Sequence, residues 1–338
     1  MNISAFEGLG YGSISVSQTT RFIVGSDGER VFGFSSTGEE LWTSKVTGVP
    51  KRSALSSNGV LYLRTFPGHA VGIPQDGADI WTMGPLSTVM RGPLIAPSGN
   101  AVFSDGNRVL VLGAQGTILF EHLVDVDWVS ALAIAADGDI FLAGPTANGT
   151  STMIRISTNG EQLSTTVVGH IHSTAVVLVG DIVVVSGSDG SSGRLIGFGY
   201  PESDAVEKWD VELPWYGTSA PGMPSASLDG HLFVGDGDGN VNSYEAESGK
   251  LVWSSPVSPG LPLEQSTSID EIGTVLVATQ TDLVALSPEG VQLWEVTVGE
   301  DLGSPVVGGD GFVYIEAQSP DVLSSVRAVC RVADISGQ

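Results

Sequence analysis

One pattern recurs along this chain and constrains its fold more than any other feature. Two apolar residues at alternate positions lead into a polar turn ending in glycine, and an apolar residue and usually an aromatic follow three and four positions later. The first copy is Phe32, Phe34, Gly38, Leu41 and Trp42, the second Val71, Ile73, Gly77, Ile80 and Trp81, and the third Leu110, Leu112, Gly116, Leu119 and Phe120. Ile154, Ile156, Gly160 and Leu163 form a fourth, with Ser164 in the aromatic place. A degenerate fifth keeps Leu195, Ile196 and Trp209. Val241, Gly249, Val252 and Trp253 form the sixth, and Val284, Leu286, Gly290, Leu293 and Trp294 the seventh. Gly38 and Gly290 lie 252 residues apart across six intervals, a mean period of 42, and 338 residues hold almost eight such units. A period in the forties with several short strands per unit is the signature of a propeller blade.

The unit before the last divides into Gln265–Ile269, Val275–Thr279, Leu283–Leu286 and Gln292–Val298. Pro93, Pro224 and Pro305 each precede a Gly-containing turn by five positions and mark innermost strands. The expected fold is all-β: an eight-bladed β-propeller of four-stranded antiparallel blades in a single domain, 1–338. The blades fall at about 12–46, 51–85, 91–124, 129–168, 172–213, 222–257, 264–298, and 303–338 with 2–8. The last unit supplies three strands, so the N-terminal segment around Ile3–Phe6 is expected to pair with Val326–Val332 and close the ring, removing open edges. Glycine at 45 positions suits many tight turns, because it enters positive φ without steric cost.

Charge narrows the partners. With 38 acidic against 14 basic residues the net charge is −24, which repels phosphate backbones and excludes nucleic acid as the expected partner. No apolar run is long enough to span a bilayer. Cys330 is the single cysteine, so no intrachain disulfide forms. The first residues lack a secretory signal, so the expected compartment is the cytoplasm, or the periplasm or cell surface if a signal has been removed. A monomer is expected.

The stretch Asp236 to Trp253 resembles the tryptophan-docking repeat of the quinoprotein (PQQ-type) propellers. Ser243, Glu245, Ser248, Gly249 and Trp253 stand where that family has alanine, an acidic residue, Thr-Gly and tryptophan. The resemblance implies that the indole docks on the neighbouring blade, with Trp42, Trp81, Trp209 and Trp294 as further docking residues and Phe120 as a substitute. Two branches of the family are relevant. The quinoprotein dehydrogenases use PQQ, calcium, a catalytic aspartate and often a vicinal cysteine pair, which one cysteine excludes. Shorter eight-bladed members are similar to BamB-type lipoproteins of outer-membrane β-barrel assembly. Size places this chain with the second branch and implies a non-catalytic scaffold without a cofactor, binding a protein or peptide partner. The alternative is a ligand- or cofactor-binding propeller taking PQQ, calcium, another metal or a carbohydrate, including a quinoprotein-like oxidoreductase.

Binding in propellers concentrates where loops of successive blades converge. Counting back from each inner turn selects Lys51, Arg91, Ser130, His172, Gly222, Gln265 and Gly303, and two positions further back Trp128, His170 and Asp301. Trp215 and Tyr216 lie between prolines in the sixth loop and suit a binding anchor or a packed cap equally. The expected partner-binding set is Lys51, Arg91, Trp128, His172, Trp215, Tyr216, Gln265 and Asp301. His170 and His172 alternate and would share a side of a strand. A metal site there would need Asp127, Asp125 or His122 as well, and without a clustered third ligand ordinary loop histidines are the simpler reading. Asp236-Gly-Asp-Gly-Asn240 reads as a hairpin turn rather than a calcium loop. No Gly-x-Ser-x-Gly, His-Glu-x-x-His or Cys-x-x-Cys motif occurs, so no catalytic residue is expected.

Overall fold

The computed structural model describes residues 15–16, 22–26, 30–35, 39–78, 80–200, 205–214, 223–308, 311–319 and 322–331. Among them there is no helix, and the strands form eight sheets. Seven are four-stranded, spanning 15–45, 49–83, 91–123, 131–169, 172–213, 225–256 and 268–297, and the eighth, 306–331, is three-stranded. Every sheet is an antiparallel meander in which each strand pairs with the next in sequence. The N-terminal segment expected to complete the last sheet lies outside the described residues. Two compact units divide the chain: Met1–Leu123 with Val298–Gln338, and Val124–Thr297.

Within each unit, successive sheets pack face to face. In the first, Val60, Tyr62 and Ala70 of one sheet meet Phe103, Leu110 and Leu112 of the next in a buried cluster. In the second, Phe141, Ala143 and Met153 meet Val183, Val185 and Phe198 in the same way. Middle strands are therefore covered on both faces, as in Ala101–Asp105, where every residue is buried. That explains their nearly unbroken apolar runs where a half-exposed sheet would alternate.

The recurring tryptophan and glycine belong to one contact. Trp42, Trp81, Trp209 and Trp253 donate their indole N–H to the carbonyls of Gln75, Ala114, Ala246 and Pro288 at 2.7, 2.8, 2.8 and 2.8 Å. Each acceptor lies in the third-to-fourth-strand turn of the following sheet, and the indole rests on that turn's glycine. A Cβ on Gly249 would fall 2.6 Å from the Trp209 ring, and one on Gly290 2.6 Å from Trp253. The other face of Trp209 crosses Gly197 of its own sheet, where a Cβ would be 2.1 Å away. The indole is thus held between two glycines, with its one polar group satisfied.

A register shift delivers the ring to this seat. Gly33 pairs with Trp42 and Phe34 with Glu40, leaving Leu41 as an extra residue. The same shift leaves Leu119, Leu163, Lys208, Val252 and Leu293 unpaired in their sheets. Such bulges re-aim the neighbouring side chain and make a poor template for edge pairing. The apolar residue before the aromatic is accordingly exposed: Leu41 to 54%, Leu119 to 53% and Leu293 to 52%. The Asp236–Asn240 segment closes the hairpin between His231–Gly235 and Asn240–Glu245. The buried Asp236 carboxylate accepts from the Asp238 and Asn240 backbone N–H groups at 3.0 and 2.8 Å and from the Asn242 amide at 2.8 Å.

Two glycines at similar left-handed φ separate the seat from the backbone. Gly249 (φ +67°) faces the Trp209 indole, whereas Gly230 (φ +93°) has nothing within 4 Å of where a Cβ would stand. Alanine at Gly230 is expected to cost about 1 kcal/mol of backbone strain. Alanine at Gly249 should cost about 1–3 kcal/mol more through overpacking. Urea titration of both variants checks this, and equal losses would show that the indole seat contributes nothing.

Candidate functional site

The sheet ends where first strands begin and second strands end carry the sequence-derived site residues. In the first unit this end gathers cations. Arg52, on Val49–Leu55, stands directly opposite Arg64, on Val60–Phe66. A bulge between Pro50 and Arg52 leaves Lys51 as the extra residue, so two cations follow each other at an irregular strand start. The next sheet begins with Arg91, whose backbone N–H donates to the Ser104 hydroxyl at 3.0 Å. Arg64 and Arg91 converge on one acceptor: both Nη1 groups donate to the Met90 carbonyl, Arg91 at 3.4 Å.

The surroundings hold this cluster in place. The loop before Arg91 is tied to the neighbouring hairpin by Leu86 N–H donating to the Gly68 carbonyl at 2.8 Å. Thr65 donates its hydroxyl to the Thr47 carbonyl at 2.7 Å, fixing the strand end beside Arg64. Asp105, a buried carboxylate on the same sheet as Arg91, is engaged elsewhere: it accepts from the Ser87 backbone N–H and pairs with Arg108. That pairing holds the Arg108 guanidinium above its ordinary pKa.

Arg64 shows the opposite. Burial first, then the charges of Arg52 and Arg91, push it down to about 10. Arg91 is lowered by burial and by Arg52. Like charges placed opposite each other across a sheet are destabilising, and so is removing a charge from water. Folding therefore assembles these cations against an electrostatic cost.

The other sequence-derived residues are distributed as follows. Asp301, also in the first unit, is exposed and is the one described non-glycine residue at positive φ, 47°. In the second unit Trp128 is 40% exposed, Gln265 half-buried and His172 exposed. Ser130, selected with them, is structural: its hydroxyl meets that of Ser173 on the next sheet at 2.6 Å, as Ser225 meets Thr267 at 2.5 Å. His170 lies outside the strand His172–Val179, so strand alternation does not align the two imidazoles. Its Nδ1 sits 3.2 Å from the Gly149 carbonyl oxygen, and the Asp127 backbone N–H donates to the Pro145 carbonyl at 2.7 Å. Among the described residues no three His, Cys, Asp or Glu side chains lie together to hold a metal. Trp215, Tyr216 and Gly222 lie outside the described residues.

Counting one position per repeat found Lys51 and Arg91 but missed Arg52 and Arg64. Their signal was strand pairing, which brings Arg64 of a second strand opposite Arg52 of a first.

The like-charge contact has a measurable consequence. Arg52→Gln, at an exposed position, is expected to stabilise the protein by about 0.2–1 kcal/mol at low ionic strength. Added salt should shrink the gain, since it screens exposed charges. The sign for Arg64 follows from its lowered pKa: the native state releases this proton more readily than the unfolded chain. Its penalty is complete at neutral pH and fades as pH rises through about 10. Thermal melts of wild type and Arg52→Gln across salt concentrations check this, and a destabilised variant would contradict it.

Comparison with known proteins agrees with the repeat. The family model described as outer membrane protein assembly factor BamB matches residues 69–258 and 237–330. BamB of Burkholderia pseudomallei (strain K96243) is 25% identical over 119 residues, which are 34% of this chain and 31% of that protein, so the match spans about a third of that relative. The crystal structure of BamB from Moraxella catarrhalis superposes with a TM-score of 0.71 at 15% identity, covering 97% of this chain and 99% of that one. Saccharomyces cerevisiae Sqt1 gives 0.75 at 11% identity, with 96% and 97% covered. The computationally designed Ika8 protein gives 0.72 at 14%, with 95% and 98% covered. At these identities the structural likeness is one of fold. Taken with the indole clasp and the matched repeats, the chain belongs to the PQQ-type β-propeller family whose model is described as outer membrane protein assembly factor BamB.

Proposed function

We propose that this chain is a non-catalytic β-propeller scaffold that docks a protein or peptide partner in outer-membrane protein assembly. The observation that carries the reading is the cluster of Arg52, Arg64 and Arg91, assembled against an electrostatic cost at a sheet end. Propellers offer this end, where loops converge, as a binding surface. Family membership supplies the setting, since the matching model describes an assembly factor. In this reading the chain is one domain of eight blades whose ring is closed by the N-terminal segment. Lys51, Arg91, Trp128, His172, Gln265 and Asp301, with Trp215 and Tyr216, belong to the partner surface. The compartment is the periplasm, and the scaffold works as a monomer without PQQ, calcium or another metal.

The test mixes the purified chain with soluble domains of the outer-membrane assembly machinery from the same organism. Isothermal titration should give a saturable complex, and charge reversal Arg91→Glu should weaken it at least roughly tenfold, a loss of about 1.4 kcal/mol. Removing one partner of a charge pair at an interface commonly costs that much or more. An equally tight complex with Arg91→Glu would contradict the assignment of this face.

A further inference from the structure

The cluster also specifies what kind of group it receives. Four of the chain's 14 basic residues, Lys51, Arg52, Arg64 and Arg91, lie at this one end of two adjoining sheets in a molecule of net charge −24. Arg64 and Arg91 share one acceptor, the neutral Met90 carbonyl, and Arg52 stands directly opposite Arg64. Apolar surface flanks the cations. Phe66, two positions beyond Arg64 on the same strand and so on its side, is 54% exposed, and Val89, next to Met90, is 45% exposed.

We infer that this cluster is a carboxylate-binding site for an extended partner segment that places an Asp or Glu side chain between two apolar ones, the apolar groups resting on Phe66 and Val89. The inference rests on the scaffold reading above and adds the chemistry of the ligand. Three arguments select it. The planar guanidinium fork matches a carboxylate in a bidentate way. Apolar neighbours suit peptide side chains and have no use for a phosphate backbone. A long polyanion would also feel the whole negative surface within a Debye length of about 8 Å at physiological salt. A segment with one or two carboxylates feels chiefly the cations it touches.

A short fluorescent peptide in which glutamate alternates with leucine and phenylalanine tests this beside its glutamine twin, by fluorescence anisotropy with the whole chain. The glutamate peptide should bind at least roughly tenfold more tightly than the twin, with affinity falling as salt rises. Arg52→Gln and Arg64→Met should each remove most of that preference, and Lys250→Gln, in the other unit, should leave it intact. Arg52 is exposed, so its variant stays folded even if Arg64→Met does not, and a thermal melt verifies this. Equal binding of the two peptides, no binding of either, or a preference that survives Arg52→Gln overturns the inference. So does displacement of the peptide by a single-stranded oligonucleotide at the same concentration, which would make the occupant a nucleic acid. If the peptides fail but the assembly-machinery domains still bind through Arg91, the carboxylate inference falls and the scaffold stands. If both fail, the scaffold reading falls with it.

Discussion

An indole must cover its rings and still find an acceptor for one N–H, and at four described positions this chain meets both demands with the same kind of turn. The glycine makes room for the ring, and a carbonyl of that turn takes the hydrogen bond. Tryptophan and acceptor are separated by 33, 33, 37 and 35 residues at the four described seats. That separation is the sequence length needed to build most of the next sheet. The period of the repeat thus follows from a distance between sheets. Where a sheet has such a clasp, its position relative to the next is set by a directional bond as well as by apolar burial.

The clasp also dictates what happens at the exposed edge. At Trp42, Trp209 and Trp253 the aromatic that turns onto the following sheet is preceded by an extra residue in the fourth strand, and that residue is exposed even where it is Leu41. The irregular edge is the less able to pair with another chain. At the end of the sheets, burial and the neighbouring charges of Arg52 and Arg91 disfavour the charge on Arg64. Sites that conflict with the stability of their own fold are where function is expected to reside. Arg64 meets that criterion through its pairing with Arg52 and the acceptor that it shares with Arg91, independently of any resemblance to other proteins.

Much of the fold was legible because tryptophan, glycine and alternating apolar residues each have one role that recurs. The strands of the seventh unit, read as Val275–Thr279 and Leu283–Leu286, lie at Val275–Ala278 and Asp282–Leu286. The hairpin reading of Asp236–Asn240 likewise follows from local turn chemistry. The repeat could not reveal that Leu41 and Leu293 are solvent-facing, because a bulge shifts the face of a strand without changing its composition. Arg64 was illegible for a related reason: it becomes a neighbour of Arg52 through register and of Arg91 through the packing of the next sheet. Strand alternation does not apply to His170 and His172, because the strand begins at the second of them. Trp215 and Tyr216 lie outside the described residues, so their roles rest on the sequence alone.

The central claim is that a partner docks on the cationic sheet end of the first unit. Hydrogen–deuterium exchange of the chain with and without the assembly-machinery domains tests it most directly, since protection reports where backbone becomes covered or held. The account predicts added protection in 49–55, 63–69 and 84–92, around Arg52, Arg64 and Arg91. Protection confined to the exposed fourth strands, with those segments unchanged, would contradict it.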